Sequence, residues 1–411
     1  MDLKKHISKI TKCRISGSKH LQKIINLGEQ PVANSLKKNQ TDSEVKFSLS
    51  LSYCEESSLL QLNETIDKEI LFKHYIWVSG TSAVTKRYAN TFFRQVIDIV
   101  NPQKDDLIVE IASNDGTFLK PFLDNNFRKI LGVDPAKNIV EIAIKQGVNT
   151  LAKFWNSSIA KQIIAEHGHA KVIFARNVIP HVSELLDVIE GIETTLKEDG
   201  VGIIEFHDAG MIQNELHYDS IYHEHLCYFS IKSLTFLLNR FNLNPFHIEK
   251  SPISGGSLVI YFSKEKRAKT IELDKAILKE TKNQTNNLLS WQNFAKQVEK
   301  HREKTLTILN QFKDKKIIGF GSSARSQTYL NYCGVNNSHI SVIIDNNPLK
   351  QGLFTPGSSI PIVNFEQGIR SNPDFIFILA WNFKDEIVQE CRSSGYKGAF
   401  IVPFPGSPYI I

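Results

Sequence analysis

An α/β fold built on doubly wound, mostly parallel sheets is what this sequence predicts, on three observations. Short runs rich in Ile and Val, namely LIVEI (107–111), KILGVD (129–134), KVIFA (171–175) and VGIIEF (201–206), alternate with helix-length segments such as TFLKPFLDNN and ELLDVIEGIETTLKE. Strands buried on both faces and joined by crossover helices read this way. The same rhythm returns from residue 315 onward in KIIGFG, SVIID, FIFILAW and AFIVPF. Between the two stretches, residues 263–314 are charged, carry apolar residues at helical spacing and contain neither Gly nor Pro. They read as one or two connecting helices.

Four regions follow in order. Residues 1–70 form a polar head holding Cys13 and Cys54, where the alternation of KFSLSLSY (46–53) predicts a half-buried strand and Gly28–Pro31 a turn. Residues 71–262 are the first α/β domain, 263–314 the connector, and 315–411 a smaller α/β lobe. With 41% hydrophobic and 22% charged residues among 411, the chain belongs with ordinary globular proteins and not with disordered ones. Its 49 basic and 43 acidic residues leave only +6, without a basic block. That balance argues against nucleic acid or an anionic membrane surface as a partner. The opening MDLKKHISKITKCR lacks the apolar run of a secretory leader, and no stretch approaches the ~18 apolar residues of a membrane span. Five scattered cysteines do not make a disulfide framework, so a cytoplasmic enzyme is expected.

Two strand–turn–helix junctions are suited to a nucleotide. In the first, a strand ends at Glu110, a turn carries Ser113, Asn114, Asp115 and Gly116, and the next strand ends in Asp134. An acid at that second strand end is placed to accept hydrogen bonds from two ribose hydroxyls. Gly116 stands alone where a dinucleotide fingerprint has three glycines, and an acid in the turn disfavours a pyrophosphate. A cofactor with a ribose and no phosphates fits better, and S-adenosylmethionine is one. In the second junction Gly319, Gly321 and Ala324 match G-x-G-x-x-A, and Asp345 ends the following strand. That pattern suits NAD, while Arg325 at the helix start suits the phosphates of any nucleotide.

The densest polar cluster lies between these junctions. Tyr222, His223, Glu224 and His225 are consecutive in SIYHEHLCYFS (220–230), His207 and Asp208 close a preceding strand, and Asn177 and His181 follow another. If extended, the run puts His223 and His225 on one face and Tyr222 and Glu224 on the other. Histidine moves protons near neutral pH, and Tyr or His can donate to a developing oxyanion. A metal held by His223, His225, His207 or Asp208 is the alternative, without the spacing of a known ligand motif behind it.

In order, EIASNDG, LGVDPAKNI, NVIPHV, IYHEHLCYFS, SGGSL (254–258), GSSARSQTYLNYCG, DNNPLKQG, PGSSIPI and ILAWNF resemble the sugar-nucleotide C-methyltransferases across residues 12–405. The resemblance implies a zinc-module-like head, a class I methyltransferase Rossmann-like domain and a C-terminal Rossmann-like lobe. The activity it implies is methylation of a ring carbon beside the ketone of a keto-deoxysugar nucleotide. By similarity His225 is the base, with Tyr222, Glu224 and His181 orienting it, binding the sugar or stabilising the enolate. Glu110, Asn114, Asp115, Gly116 and Asp134 would hold S-adenosylmethionine, with Asn177 near its amino-acid end. His223, Ser323 and Arg325 would meet the substrate. A sugar O- or N-methyltransferase, an NAD-dependent sugar-nucleotide oxidoreductase and a non-catalytic binder are the other readings. The head departs from the family: its two C-x-x-C pairs read Cys13–Ser16 and Cys54–Ser57. Hydroxyls are poor zinc ligands, and His20 is not at the family's spacing, so no structural zinc is expected.

Overall fold

Residues 6–68, 71, 78–81, 83–252 and 256–411 are described by the computed structural model; residues 254–255 of the SGGSL motif lie outside them. The head is built from β1 (Ile7–Lys9), β2 (Leu21–Pro31), β3 (Lys46–Cys54), β4 (Leu59–Leu62) and β5 (Glu64–Ile66). Strands β2, β3 and β4 pair antiparallel in sequence order, and β1 pairs β5. β3 alternates as expected only in its first half; from Leu51 to Cys54 both faces are covered. The turn expected at 28–31 is instead the end of β2. Gly28, at φ +80°, sits where the pairing with β3 slips between Asn26 and Glu29, so its freedom serves a bulge.

The central sheet contains β6 (Leu107–Ile111), β7 (Lys129–Val133), β8 (Thr150–Leu151), β9 (Ala170–Arg176), β10 (Leu196–His207), β12 (Asn244–Ser251) and β13 (Ser257–Ser263). Their order is β12-β13-β10-β9-β6-β7-β8. β6 to β10 run parallel and the β12–β13 hairpin closes one edge antiparallel. Alternate strand residues feed two cores, as a doubly wound sheet requires. Ile108, Val172, Phe174 and Ile203 pack with the helix Ala83–Val100, while Val109, Ile173, Ala175 and Ile204 pack with Ser157–His167 and Leu185–Thr195. From β6 the chain winds to β7 and β8 on one side, then returns to β9 on the other. That reversal opens a crevice at the carboxyl ends of β6 and β9, where ligands of such sheets sit.

Strand β11 (Cys227–Tyr228) lies within the expected central domain but pairs with β4, as the edge strand of the head's sheet. The connector is two helices, Ile271–Lys282 and Leu288–Gln311. The last lobe holds β14 (Ile317–Phe320), β15 (Ile343–Ile344), β16 (Ile362–Val363), β17 (Phe375–Ile378), β18 (Ala399–Val402) and β19 (Tyr409–Ile410), ordered β16-β15-β14-β17-β18-β19. One apolar cluster runs through all of these parts, from Leu51 and Tyr53 through Ile173 and Trp291 to Tyr329 and Phe377. Among the described residues no helix is long and apolar enough to cross a membrane.

Candidate functional site

A cavity of about 1130 Å³ lies where the central sheet, the head and the last lobe meet. It exceeds the ~300–1,000 Å³ of a usual single-ligand pocket and is large enough for two ligands side by side.

Its floor is the β6–β9 crevice. Asp134, at the end of β7, accepts Asn114 N–H on Oδ2 and Ala136 N–H on Oδ1, both at 2.9 Å. Two backbone amides thus fix the carboxylate, and burial raises its pKa against them. Glu110 is 3% exposed, and its Oε2 has no partner among the described residues. Burial pushes its pKa well up; Arg176 opposes that, while Asp115, Asp134 and Glu205 add to it. The Arg176 charge is matched by Glu205, which also accepts from Ser251 Oγ and Asn177 Nδ2. Burial and the neighbouring acids therefore favour the neutral form of Glu110. A cationic ligand would favour its ionised form, and a pyrophosphate would not.

Of the cofactor residues expected from the sequence, Glu110, Asn114, Asp134 and Asn177 line the cavity. Asp115 and Gly116 do not. Asp115 turns to Gly80 N–H and to the Thr117 hydroxyl, at 2.9 and 2.6 Å, and anchors the neighbouring loop. At Gly116, with φ +79°, an added Cβ would strike Val148, so the glycine answers packing and backbone strain.

The wall above the floor is the histidine segment, which is a turn and not a strand: His225 N–H bonds Tyr222 O at 2.9 Å. The two-face arrangement expected of an extended run is thereby lost. His223 Nε2 lies 3.2 Å from the Ser48 carbonyl and its ring packs behind Phe47, which lines the cavity while His223 does not. Tyr222, Glu224, His225 and His181 do line it. His225 Nδ1 is 3.0 Å from the Ser220 carbonyl, so that nitrogen carries the hydrogen. Nε2 then holds the lone pair, and the Tyr222 hydroxyl donates to it at 2.7 Å. The His181 ring stands perpendicular to His225, with centroids 4.6 Å apart. Burial, then His181, hold the His225 pKa well below the imidazole range, and burial brings His181 down to about 4. Both rings are neutral at physiological pH, as a base must be before it acts. Burial raises Glu224 to about 7, against a hydrogen bond from Asn34.

Toward the last lobe the cavity meets the second glycine turn. Gly319 and Gly321 are glycines because a Cβ would strike Ile343 or the Ala380 backbone. Asp345 is already taken by Ser322 N–H and Asn347 N–H, with Lys350 at 3.5 Å. Ser323 caps its own helix through Ser326. Arg325 binds Asp219 through Nε and Nη2, at 3.0 and 2.9 Å. Ser323 and Arg325 both line the cavity, but with the hydroxyl capping and the charge matched. Neither His207 nor Asp208 joins a metal site: among the described residues no group of three or more His, Cys, Asp or Glu is placed to hold one. What the sequence left unseen is the head loop, whose Asn34, Lys37 and Glu44 also line the cavity.

Three family profiles match successive parts of this chain. Residues 13–72 match one described as "Putative zinc binding domain", 86–248 a "Methyltransferase domain", and 252–405 a "C-methyltransferase C-terminal domain". The C-methyltransferase NovU of Streptomyces niveus is 28% identical over an alignment of 408 positions that covers 96% of each chain. Among solved structures, a methyltransferase of Thermotoga maritima, a possible histamine N-methyltransferase, is 18% identical with a TM-score of 0.31, covering 44% of this chain and 98% of its own. Magnesium protoporphyrin IX methyltransferase of Synechocystis PCC 6803 is 10% identical with a TM-score of 0.34, covering 44% and 80%. At those scores the two structures add nothing to the fold already described.

Proposed function

We propose that this chain, which belongs to the C-methyltransferase family and is an S-adenosylmethionine-dependent methyltransferase, methylates a ring carbon beside the ketone of a keto-deoxysugar nucleotide. The observation that carries the reading is the His225–Tyr222 pair. It supplies a neutral imidazole whose Nε2 lone pair meets the Tyr222 hydroxyl, and both residues line the same cavity as the buried acids of the β6–β9 crevice. Bound S-adenosylmethionine supplies an electrophilic methyl group on a sulfonium. Asp134 would accept its ribose hydroxyls, Glu110 would answer its positive charge, and Asn114 and Asn177 would lie alongside. The orphaned Glu110 oxygen, on an acid whose ionised form a cation would favour, fits that sulfonium.

His225 Nε2 takes the acidic proton next to the ketone, and the Ser220 carbonyl holds the Nδ1–H of the imidazolium formed. The Tyr222 hydroxyl, released from Nε2, turns to donate to the enolate oxygen. The enolate carbon would then be the nucleophile for the sulfonium methyl group, the new C–C bond forming as the C–S bond breaks and S-adenosylhomocysteine leaves. The test is incubation with labelled S-adenosylmethionine and a panel of 4-keto-6-deoxysugar nucleotides. A methyl on carbon is expected, and a methyl ether overturns the reading.

Asp134→Ala leaves two turn amides and the ribose without their acceptor. Cofactor affinity should fall by about 10- to 100-fold, with sugar-nucleotide binding little changed, by calorimetry with S-adenosylhomocysteine. Unchanged affinity would mean that the cofactor sits elsewhere.

The head does not fit a structural zinc ion. Its four relevant positions do converge, but they bond to one another: Cys13 Sγ lies 3.1 Å from Ser57 Oγ, and Ser16 Oγ 3.7 Å from Cys54 Sγ. His20 is exposed and apart from them. Two thiols and two neutral hydroxyls make a weak zinc set. Elemental analysis of the untagged protein should show well under one zinc per chain; stoichiometric zinc would overturn this.

A further inference from the structure

Glu224 is a buried carboxyl on the cavity wall, and a residue of the head holds it. Asn34 Nδ2 donates to Glu224 Oε1 at 2.6 Å. The loop carrying Asn34 is itself clamped to the last lobe. Lys37 and Phe354 exchange backbone hydrogen bonds at 2.9 Å, Lys37 Nζ reaches Ser359 Oγ, and the Glu44 carboxylate takes Gly357 N–H. On its other side the catalytic turn is fixed to the head through β11 and through His223 on the Ser48 carbonyl. Asn34 therefore meets Glu224 from a support anchored at both ends.

We propose that Asn34 is a positioning residue for the reaction: it holds one oxygen of Glu224 and thereby directs the other, with its proton, into the cavity. This rests on the methyl-transfer reading given above. The carbonyl oxygen of a carboxyl is the better acceptor of an amide N–H, so the bond to Oε1 favours the proton on Oε2. There it can donate to a keto or hydroxyl oxygen of the substrate.

Around Glu224 stand His223 and His225 of its own turn, His181 of the neighbouring segment, and Lys37 and Glu44 of the head loop, which pair with each other. None of these charges shifts it. Burial raises Glu224 and the Asn34 bond lowers it, and those are the two causes. The bond favours the ionised carboxylate, so losing it moves the titration to higher pH.

Three variants of the full-length protein test this: Asn34→Ala, the isosteric Asn34→Asp, and Glu224→Gln to assign the carboxyl signal. The Glu224 titration, followed by carbon-13 NMR without substrate, should move upward in Asn34→Ala and further in Asn34→Asp, where two carboxyls meet. With a 4-keto-6-deoxysugar nucleotide, Asn34→Ala should lose about 10- to 100-fold in kcat with KM little changed, and its alkaline limb should shift to higher pH. S-adenosylhomocysteine affinity should stay at the wild-type value, which shows the variants are folded. An unmoved Glu224 titration, or an unmoved limb with unchanged kcat, overturns the proposal. A methyl ether product would sink the carbon-methylation reading alone, because the titration is read without any transfer.

Discussion

His225→Asn should cut methyl transfer and exchange of the substrate's ring proton with deuterated water together, by about 10²- to 10⁴-fold. Exchange needs only the base, the ketosugar and S-adenosylhomocysteine, so it reports proton removal without transfer. An oxygen methyltransferase would deprotonate a hydroxyl and leave no label on carbon. Asn keeps a donor for the Ser220 carbonyl but has no basic nitrogen in place of Nε2, so the turn should survive while the chemistry stops. Tyr222→Phe should slow both steps less, since the imidazole remains. The pH profile carries a second signature. Burial and the neighbouring His181 hold His225 well below the imidazole range, so it stays unprotonated as pH falls through ~6.5. The acidic limb of kcat should therefore lie below that of an ordinary histidine. Exchange that persists in His225→Asn would pass the base role to His181, whose ring packs against His225 on the cavity wall.

The parallel strands were legible because burial on both faces forces uninterrupted Ile and Val, and Leu107–Ile111 and Ala170–Arg176 fall where those runs predict. The place of Asp134 on the crevice was legible for a related reason: a strand end facing a crevice is a fixed address in a doubly wound sheet. Asp115 and Gly116 share the turn's sequence but not its exposed side, and only the backbone path decides which residues of a turn face a ligand. His223 failed in the same way. The run YHEH has no period of its own, and the 222–225 turn that sends His223 to Ser48 depends on β11 joining the head's sheet, a pairing between residues far apart in the chain. Asn34 carried no signal at all. It sits in a loop between β2 and β3, and its meaning comes from a partner 190 residues away.

Arg325 shows how a residue expected to meet phosphate can be committed elsewhere, and Asp219→Ala should expose that commitment as a loss of about 3–5 kcal/mol in unfolding free energy. Asp219 is 1% exposed and accepts from Arg325 twice and from Trp381 Nε1 at 2.8 Å. The guanidinium in turn stacks over the Trp381 ring, 4.7 Å from its centroid. Removing the carboxylate takes both Asp219 bonds from a mostly buried cation and the acceptor from an indole N–H, so part of their desolvation is no longer offset. The damage should reach the site, because Asp219 adjoins Ser220, whose carbonyl orients His225. Asp219→Asn, which keeps an acceptor for Trp381, should cost less. The pH dependence follows from the direction of the shift. Burial raises the Asp219 pKa, but Arg325, His217 and Trp381 together bring it below the ordinary carboxylate value. A depressed folded-state pKa contributes stability that is complete above the unfolded value of ~3.9 and disappears as pH falls through the folded one. The difference between wild type and Asp219→Ala in urea unfolding should accordingly be constant from neutral pH down to about 5 and shrink only in stronger acid. A difference under about 1 kcal/mol at neutral pH would mean that the pair is no more than a surface-like contact, and that the Arg325 charge is available to the substrate after all.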